Sequence, residues 1–420
     1  MKRRLQVLFL STYPPRACGI GTFARDLTAS LRQNTPWIAP RIAAIDIDDD
    51  EHLEYGNEVV WRIPNDRRRA YTDLAEMVNN SGYDLVCVQH EFGIFPGEWG
   101  EHLIGFYAAC RKPIVTTLHT IIPRCCDLPR RIVRTIVGKS RATVVMAEVA
   151  VDILRNDYDV SGGSIRVIPH GVPAFRPLGR AAAKKLLGFH SRKVIATFGL
   201  LSRGKGLEHV IAAMPGILEE HPNALYCILG RTHPTVKKHE GESYRRELER
   251  MAAERGLQRH VRFADRFLTD EELSVFLEAT DVYVTPYLGA DQITSGALAR
   301  AAFFGKAIVS TPFLYARELL ASRRGRFAPF EDSEELGRTV AAVLSDDDLR
   351  TAMEARMREY SRRMTWEAVA SEYATVFVHA AAARQKRFGA ARPGAVPRRH
   401  QWLPRAASKA NHTQGVEPRL

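Results

Sequence analysis

Short apolar segments bounded by turn residues alternate with helical patterns along most of the chain, and this alternation constrains the fold most strongly. It is typical of parallel sheets whose strands are joined by crossover helices. The predicted strands are Leu5–Leu10, Arg41–Ile47, Asn57–Ile63, Leu85–Gln89, Pro113–Thr117, Thr143–Ala147, Ile165–Ile168, Val194–Phe198, Leu225–Leu229, Val261–Phe263, Val282–Thr285 and Ala307–Ser310. The sequence therefore predicts an α/β protein with two Rossmann-like, doubly wound domains that face each other across a cleft.

The chain has 420 residues, which exceeds the size at which a single hydrophobic core usually stops growing. The periodicity breaks at residues 173–180, where Pro173, Pro177 and Gly179 follow a predicted strand. We therefore expect one domain over residues 1–173 and a second over residues 174–383, with a last helix that can pack back on the first domain. Residues 384–420 are expected to form a basic tail.

The net charge of +12 is concentrated in that tail. Residues 384–420 contain nine Lys or Arg and one acid, Glu417, which gives a net charge of +8. The tail is rich in Pro, Ala, Arg and Gly and has no apolar periodicity, so the sequence predicts disorder rather than a nucleic-acid-binding module. Its charge also suits peripheral contact with an anionic membrane.

The sequence contains no run of about 18 apolar residues, and its first apolar run is interpreted as a strand. The six cysteines lack the spacing of a metal site, which favours reduced thiols. We expect a cytoplasmic protein, with association at the inner face of the membrane left open.

Two cations follow the first predicted strand of the second domain. The segment VIATFGLLSRGKGLEHVIAAM reads as a strand, a glycine-bearing loop and an amphipathic helix, with Arg203 and Lys205 near the helix start. Cations at that edge of a sheet can clamp a diphosphate and stabilise charge that accumulates on a departing phosphate. The alternative is a solvated helix face, which the helix dipole disfavours.

The segment from Asp281 to Pro312 predicts a second phosphate-binding element. Its strand ends in Pro-Tyr, and a helix of small residues begins after Gln-Ile-Thr-Ser-Gly-Ala, with Ser295 as the predicted N-cap. Backbone amides at a helix start bind anions, and small side chains allow close approach. The predicted contacts are Thr294, Ser295, Gly296, Ala297 and Leu298.

Polar residues follow two strands of the first domain. His90 and Glu91 follow one predicted strand and His119 follows the next, so the three are expected at the cleft. A histidine there can bind a sugar hydroxyl or stabilise developing charge, or it can tie loops together.

Two further turns carry candidate contacts. Gly19 and Gly21 follow the first strand and can bring bare backbone close to an anion, or can form only a tight turn. Arg231 and His233 follow another strand and can approach the nucleotide, or belong to an exit turn.

Together these segments resemble the GT-B glycosyltransferases of family 4, also called glycosyltransferase group 1, over roughly residues 5–380. The loop glycine of that family corresponds to Gly19, its first-domain histidine to His119 and its lysine to Lys205, and the strand before the linker reads VIPHGV. The resemblance implies a retaining transfer of sugar from a nucleotide diphosphate to a hydroxyl acceptor, with His119, Arg203 and Lys205 as the catalytic residues.

The chain departs from this family in the donor site. Gln292 and Arg300 stand at the positions of the two family glutamates, the second of which usually binds the ribose. Leu200 stands at the usual arginine position, with Arg203 as a possible substitute, and Glu318 could supply a ribose carboxylate or lie on a helix surface. This pattern indicates a divergent branch with QITSG in place of the Glu-x7-Glu segment.

The resemblance implies a UDP-, GDP- or ADP-sugar as donor, a glycan, lipid-linked or small-molecule acceptor, and neither cofactor nor metal. A GT-B sugar phosphorylase or nucleotide-sugar epimerase is the nearest enzymatic alternative, which hydrolysis of the donor without transfer would favour. A silent carbohydrate-binding scaffold is a second alternative, which the absence of stabilisation by any nucleotide-sugar would favour.

Overall fold

The computed structural model describes residues 3–16, 18–46, 53–65, 69–160 and 164–385. The predicted tail therefore lies almost wholly outside the described residues. Among the described residues, no helix is long and apolar enough to cross a membrane. All six cysteines are free thiols.

The first sheet has seven parallel strands in the order β3-β2-β1-β4-β5-β6-β7. Its strands are β1 (Leu5–Ser11), β2 (Ile38–Asp46), β3 (Val59–Pro64), β4 (Leu85–His90), β5 (Ile114–Leu118), β6 (Ala142–Val145) and β7 (Ile165–Val167). Its helices are α1 (Gly19–Asn34), α2 (Ala70–Asn79), α3 (Leu103–Ala109), α4 (Asp127–Lys139) and α5 (Glu148–Asn156). The strands are mostly apolar because helices cover both faces of the sheet.

The second sheet has six parallel strands in the order β10-β9-β8-β11-β12-β13. Its strands are β8 (Lys193–Phe198), β9 (Ala224–Leu229), β10 (Val261–Ala264), β11 (Val282–Thr285), β12 (Ala307–Ser310) and β13 (Gly325–Phe327). The remaining helices are α6 (Arg180–Leu186), α7 (Leu207–Glu220), α8 (Pro234–Glu240), α9 (Ser243–Glu254), α10 (Asp270–Ala279), α11 (Gly296–Phe303), α12 (Leu314–Leu319), α13 (Ser333–Ser345), α14 (Asp347–Ser361) and α15 (Trp366–Gln385).

The predicted α/β architecture with two doubly wound sheets is confirmed. In each sheet the strand order reverses beside the first strand of the unit, between β1 and β4 and between β8 and β11. Ligands of such sheets bind at the carboxyl ends of the strands next to this reversal. The loops that follow β1, β4, β5, β8 and β11 are therefore expected to form the ligand site.

The last helix, α15, packs against the first sheet. The ring of Phe377 lies 5.9 Å from that of Phe9, and the hydroxyls of Tyr373 and Thr117 are 2.9 Å apart. Trp366 packs edge-on against Phe23 of α1 at 5.1 Å. The chain thus crosses back after the second sheet, and α15 packs on the first sheet.

Hydrogen bonds join the two halves next to the cleft. The hydroxyl of Thr294 donates to the backbone oxygen of His119 at 2.9 Å, and Ile293 is buried in the apolar core of the first sheet. The carboxylate of Glu318 accepts from the backbone amides of Glu148 and Val149, each at 3.0 Å. The loop after β11 and helix α12 therefore fix the position of the second sheet relative to the first.

Candidate active site

Three loops of the second sheet meet in close backbone contact. A Cβ on Gly230, which has φ +133°, would collide with the backbone oxygen of Gly199, and one on Gly206, with φ +62°, would collide with that of Pro286. The position of a Cβ on Gly199 lies 3.8 Å from the Cβ of Ala297, the second residue of α11. The loops after β8, β9 and β11 are therefore packed backbone to backbone, with the loop after β8 beside the N-terminus of α11, and side chains at Gly206 and Gly230 would force them apart.

The N-terminus of α11 is capped as the sequence predicts. Ser295 adopts extended backbone angles, and its hydroxyl accepts from the amide of Leu298 at 3.1 Å, which confirms it as the N-cap. That amide is consequently used by the cap, so the prediction that Leu298 offers an amide to a ligand is corrected. Gly296 and Ala297, before it, form the first turn, where amides lack partners within the helix.

Lys205 lies beside this helix start. Its ammonium is 3.9 Å from the ring centroid of Tyr287, the second residue after β11, and no carboxylate of the described residues forms an ion pair with it. The hydroxyl of Tyr287 is 3.4 Å from that of Ser295. A cation–π contact orients the lysine without neutralising it, so a positive charge and a helix N-terminus are placed together.

Arg203, the other predicted cation, forms ion pairs within the protein. Its guanidinium pairs with Glu247 at 2.8 Å and with Glu240 at 3.5 Å, and its side chain is 53% exposed. Hydrogen bonding to Glu247 is the main cause of its raised pKa. In this arrangement Arg203 is held by acids on α8 and α9, and its contact with the diphosphate stays a prediction.

His119 lies at the end of β5 and is 6% exposed. Its Nε2 is 2.9 Å from Oε1 of Gln89, and its ring packs edge-on against Phe23 at 4.9 Å. Burial lowers its pKa to about 3, with smaller contributions from His170 and His90. The imidazole is therefore neutral at physiological pH.

His90 and Glu91 occupy different environments. His90 is 0% exposed, packs against Phe92 and Phe95, and neither ring nitrogen has a hydrogen-bond partner among the described residues. The prediction of a sugar contact for His90 is therefore corrected, because the ring has no access to the cleft. Glu91 accepts from the hydroxyl of Thr120 at 2.5 Å and from the amide of Phe92 at 3.0 Å, and burial raises its pKa.

The glycines after β1 differ in their surroundings. A Cβ on Gly21 would lie 3.2 Å from backbone atoms of Tyr13, whereas a Cβ on Gly19 would meet nothing within 4 Å. Gly21 thus allows α1 to approach the preceding loop. Gly19 borders open space at the N-terminus of α1.

Several predicted donor contacts are engaged within the protein. The side-chain amide of Gln292 donates to the backbone oxygen of Thr294 at 2.8 Å and so braces the loop before α11. Thr294 and Glu318 make the contacts with the first sheet given above. The prediction of a ribose contact for Glu318 is corrected, because its two oxygens cap the N-terminus of α5.

The turn after β9 runs beside the loop after β8. The amide of His233 donates to the backbone oxygen of Leu201 at 2.9 Å, and the pKa of His233 is lowered by burial and by Lys205. The guanidinium of Arg231 lies 5.7 Å from the ring centroid of Phe267, which is 68% exposed. This turn therefore forms one side of the Lys205 site.

His170 and Tyr287 are residues of the site that the sequence analysis did not single out. A Cβ on Gly296 would lie 3.1 Å from Nε2 of His170, which places that ring at the start of α11. Burial lowers the pKa of His170 to about 4. The available signals were the histidine in VIPHGV and an aromatic residue directly after a buried strand.

Both halves of the chain match family models. Residues 18–176 match the model described as Glycosyltransferase Family 4, and residues 180–364 match the model described as Glycosyl transferases group 1. A D-inositol 3-phosphate glycosyltransferase of Corynebacterium urealyticum is 27% identical over 249 residues, or 58% of this chain and 57% of that protein. The match therefore spans less than two thirds of that relative.

Solved structures resemble nearly the whole fold. Sucrose-phosphate synthase from Thermosynechococcus elongatus superposes with a TM-score of 0.72 at 18% identity, covering 90% of this chain and 100% of that one. HepE of Anabaena in complex with UDP superposes with a TM-score of 0.68 at 15% identity, covering 89% of this chain and 100% of that one. At such identities the likeness shows a common fold. Together with the two family models, it establishes that this chain belongs to family 4 of the GT-B glycosyltransferases.

Proposed function

We propose that this protein transfers a sugar from a nucleotide diphosphate to a hydroxyl acceptor, with retention of anomeric configuration. Membership of family 4 supports glycosyl transfer, and the UDP bound by HepE supports a nucleotide donor. The observation that carries the proposal is the site formed by Gly199, Lys205 and the N-terminus of α11.

This site suits the diphosphate of the donor. The amides of Gly296 and Ala297 and the positive end of the helix dipole favour an anion, and Gly199 lets it approach the backbone. The ammonium of Lys205 is without a carboxylate partner among the described residues, so its charge is available to phosphate oxygens. Negative charge on the diphosphate grows as the sugar leaves, so these groups stabilise the transition state more than the bound donor.

The transferred sugar lies towards the first domain in this proposal. With Gln89 accepting from Nε2, the neutral ring of His119 presents Nδ1 as an acceptor for a sugar hydroxyl. The departing phosphate oxygen takes the acceptor's proton on the face from which it leaves, which gives retention without a separate carboxylate base. The contact between Thr294 and His119 closes the cleft beside the reacting atoms and limits donor hydrolysis.

The test is a thermal-shift and turnover panel over UDP-, GDP- and ADP-sugars. Because the relative from C. urealyticum is named for D-inositol 3-phosphate, polyol phosphates are the first acceptors to pair with the donors. One donor class should raise the melting temperature and yield a product whose anomeric proton, observed by NMR, has the donor's configuration. Inversion would contradict the retaining mechanism, and failure of every donor to bind would contradict the function.

Lys205→Ala should lower turnover at least about tenfold, or roughly 1.4 kcal/mol of transition-state stabilisation. Lys185→Ala, at an exposed lysine on α6, is the matched control and should retain turnover. Unchanged turnover in folded Lys205→Ala would contradict the role of Lys205.

We also propose that the basic tail mediates peripheral contact with anionic membranes. Co-sedimentation with anionic vesicles should be stronger for the full chain than for residues 1–383. Equal sedimentation of the two proteins would exclude this role.

A further inference from the structure

Helices α1, α10 and α11 bring a compact charged cluster to the cleft. Nη1 of Arg300, on α11, is 2.6 Å from Oδ1 of Asp270, the first residue of α10, and the two side chains are 18% and 47% exposed. On α1, burial raises the pKa of Asp26 and Arg25 lowers it. The charge of Asp270 also raises this pKa, and the charge of Arg300 lowers it. The Arg300–Asp270 pair therefore lies within electrostatic range of the first domain.

This pair lies next to the diphosphate site. Arg300 is four residues beyond Gly296 on the same helix, a distance of about 6 Å along the axis. Its guanidinium is 5.9 Å from the ring centroid of Phe198, the residue directly before Gly199. In a nucleoside diphosphate a single methylene joins the inner phosphate to the ribose. The ribose must therefore lie within about one helical turn of the site formed by Gly199, Lys205 and α11.

The chemistry of Asp270 suits a sugar diol. An ionised carboxylate only accepts hydrogen bonds and has four lone-pair positions. Arg300 occupies Oδ1, and Oδ2 accepts no hydrogen bond from the described residues. The guanidinium also offsets the repulsion that a bare carboxylate would exert on a neighbouring diphosphate. In dinucleotide-binding sheets of related architecture, an acidic side chain likewise accepts from a ribose hydroxyl.

We propose that Asp270, held by Arg300, accepts a hydrogen bond from the 2′-hydroxyl of the donor ribose. The inference rests on the proposed function, since it requires a nucleoside diphosphate at the α11 site. Asp270 is then a specificity-determining residue that selects ribonucleotides over deoxyribonucleotides, and Arg300 is a positioning residue.

The experiment is calorimetric titration of the full chain with UDP, GDP and ADP and with their 2′-deoxy forms. For the nucleotide that binds, the wild-type protein should prefer the ribo form by about tenfold, the loss expected for one hydrogen bond to a charged group. Asp270→Ala should reduce that preference to within about twofold. The ratio is the informative quantity, because general changes in the site affect both nucleotides alike.

Two further variants separate positioning from general damage. Arg300→Met should also reduce the preference, whereas Arg300→Lys should retain part of it. Glu271→Ala, at the exposed neighbour of Asp270, is the matched control and should keep the wild-type ratio.

A ribo preference that persists in folded Asp270→Ala would overturn the inference and leave the proposed function intact. A general loss of affinity for both forms at a constant ratio would also overturn it. Failure of the wild-type protein to bind any of these diphosphates would contradict the proposed function itself.

Discussion

The buried histidine at the end of β4 predicts a specific loss of stability in acid. His90 is 0% exposed and its ring nitrogens lack partners among the described residues. Burial lowers its pKa to about 3, compared with 6.5 in the unfolded chain. Below pH 6.5 the unfolded chain binds a proton at His90 that the folded chain does not. The contribution of the neutral ring to the free energy of unfolding is therefore complete above pH 6.5 and decreases as the pH falls towards 3.

The magnitude follows from these two pKa values. At pH 5 the unfolded ring is almost fully protonated, whereas the folded ring is protonated in about one molecule in a hundred. Lowering the pH from 7 to 5 should therefore cost about 2 kcal/mol through His90 alone. His90→Phe removes this contribution and also relieves the desolvation of two unpaired nitrogens, at a site already lined by Phe92 and Phe95.

The assay is urea unfolding of the wild-type and His90→Phe proteins at pH 7, 6 and 5, followed by tryptophan fluorescence and circular dichroism. The variant should be at least as stable as the wild type at pH 7 and should lose about 2 kcal/mol less by pH 5. Comparing the two proteins at each pH cancels the contributions of titrating groups that do not interact with His90. Equal losses in both would refute the assignment of His90 as a neutral core histidine.

Four other substitutions test the architecture of the site. Ser295→Ala removes the N-cap of α11 and should cost about 1 kcal/mol in urea unfolding, together with weaker nucleotide binding; unchanged values would contradict the capping role. Gly230→Ala should lower stability by at least about 1 kcal/mol because of its positive φ and the adjacent backbone, whereas Gly19→Ala, which faces open space, should retain the wild-type melting temperature. Glu318→Ala should cost about 1 kcal/mol by uncapping α5 and should speed hydrogen exchange at the start of that helix; unaltered exchange would exclude the capping contact.

Local signals predicted the strands and the helix cap well. The apolar runs of β1, β4 and β11 predict strands within a residue or two of their observed ends. Ser295 was predicted because an N-cap depends on backbone and side chain within one turn. Strand β13 was missed because three residues, one of them Arg326, carry too short an apolar pattern.

Long-range pairing explains why the partners of Arg203 and Glu318 were not predicted. Arg203 meets Glu247, which is 44 residues further along the chain, and Glu318 meets the amide of Glu148 over a separation of 170 residues. No local pattern encodes such contacts. The orientation of His90 was not predictable for a related reason. A position at the end of a strand does not determine whether the ring points into the core or into the cleft.

We propose that Lys205 and the N-terminus of α11 bind the diphosphate of a nucleotide donor. The most direct measurement is calorimetric titration of UDP, GDP and ADP into the wild-type, Lys205→Ala and Lys185→Ala proteins. We predict that one nucleotide binds the wild type and Lys185→Ala equally and binds Lys205→Ala at least about tenfold more weakly, a loss of about 1.4 kcal/mol. Equal affinity for all three proteins, or no binding of any nucleotide to the wild type, would contradict this role of Lys205 and α11.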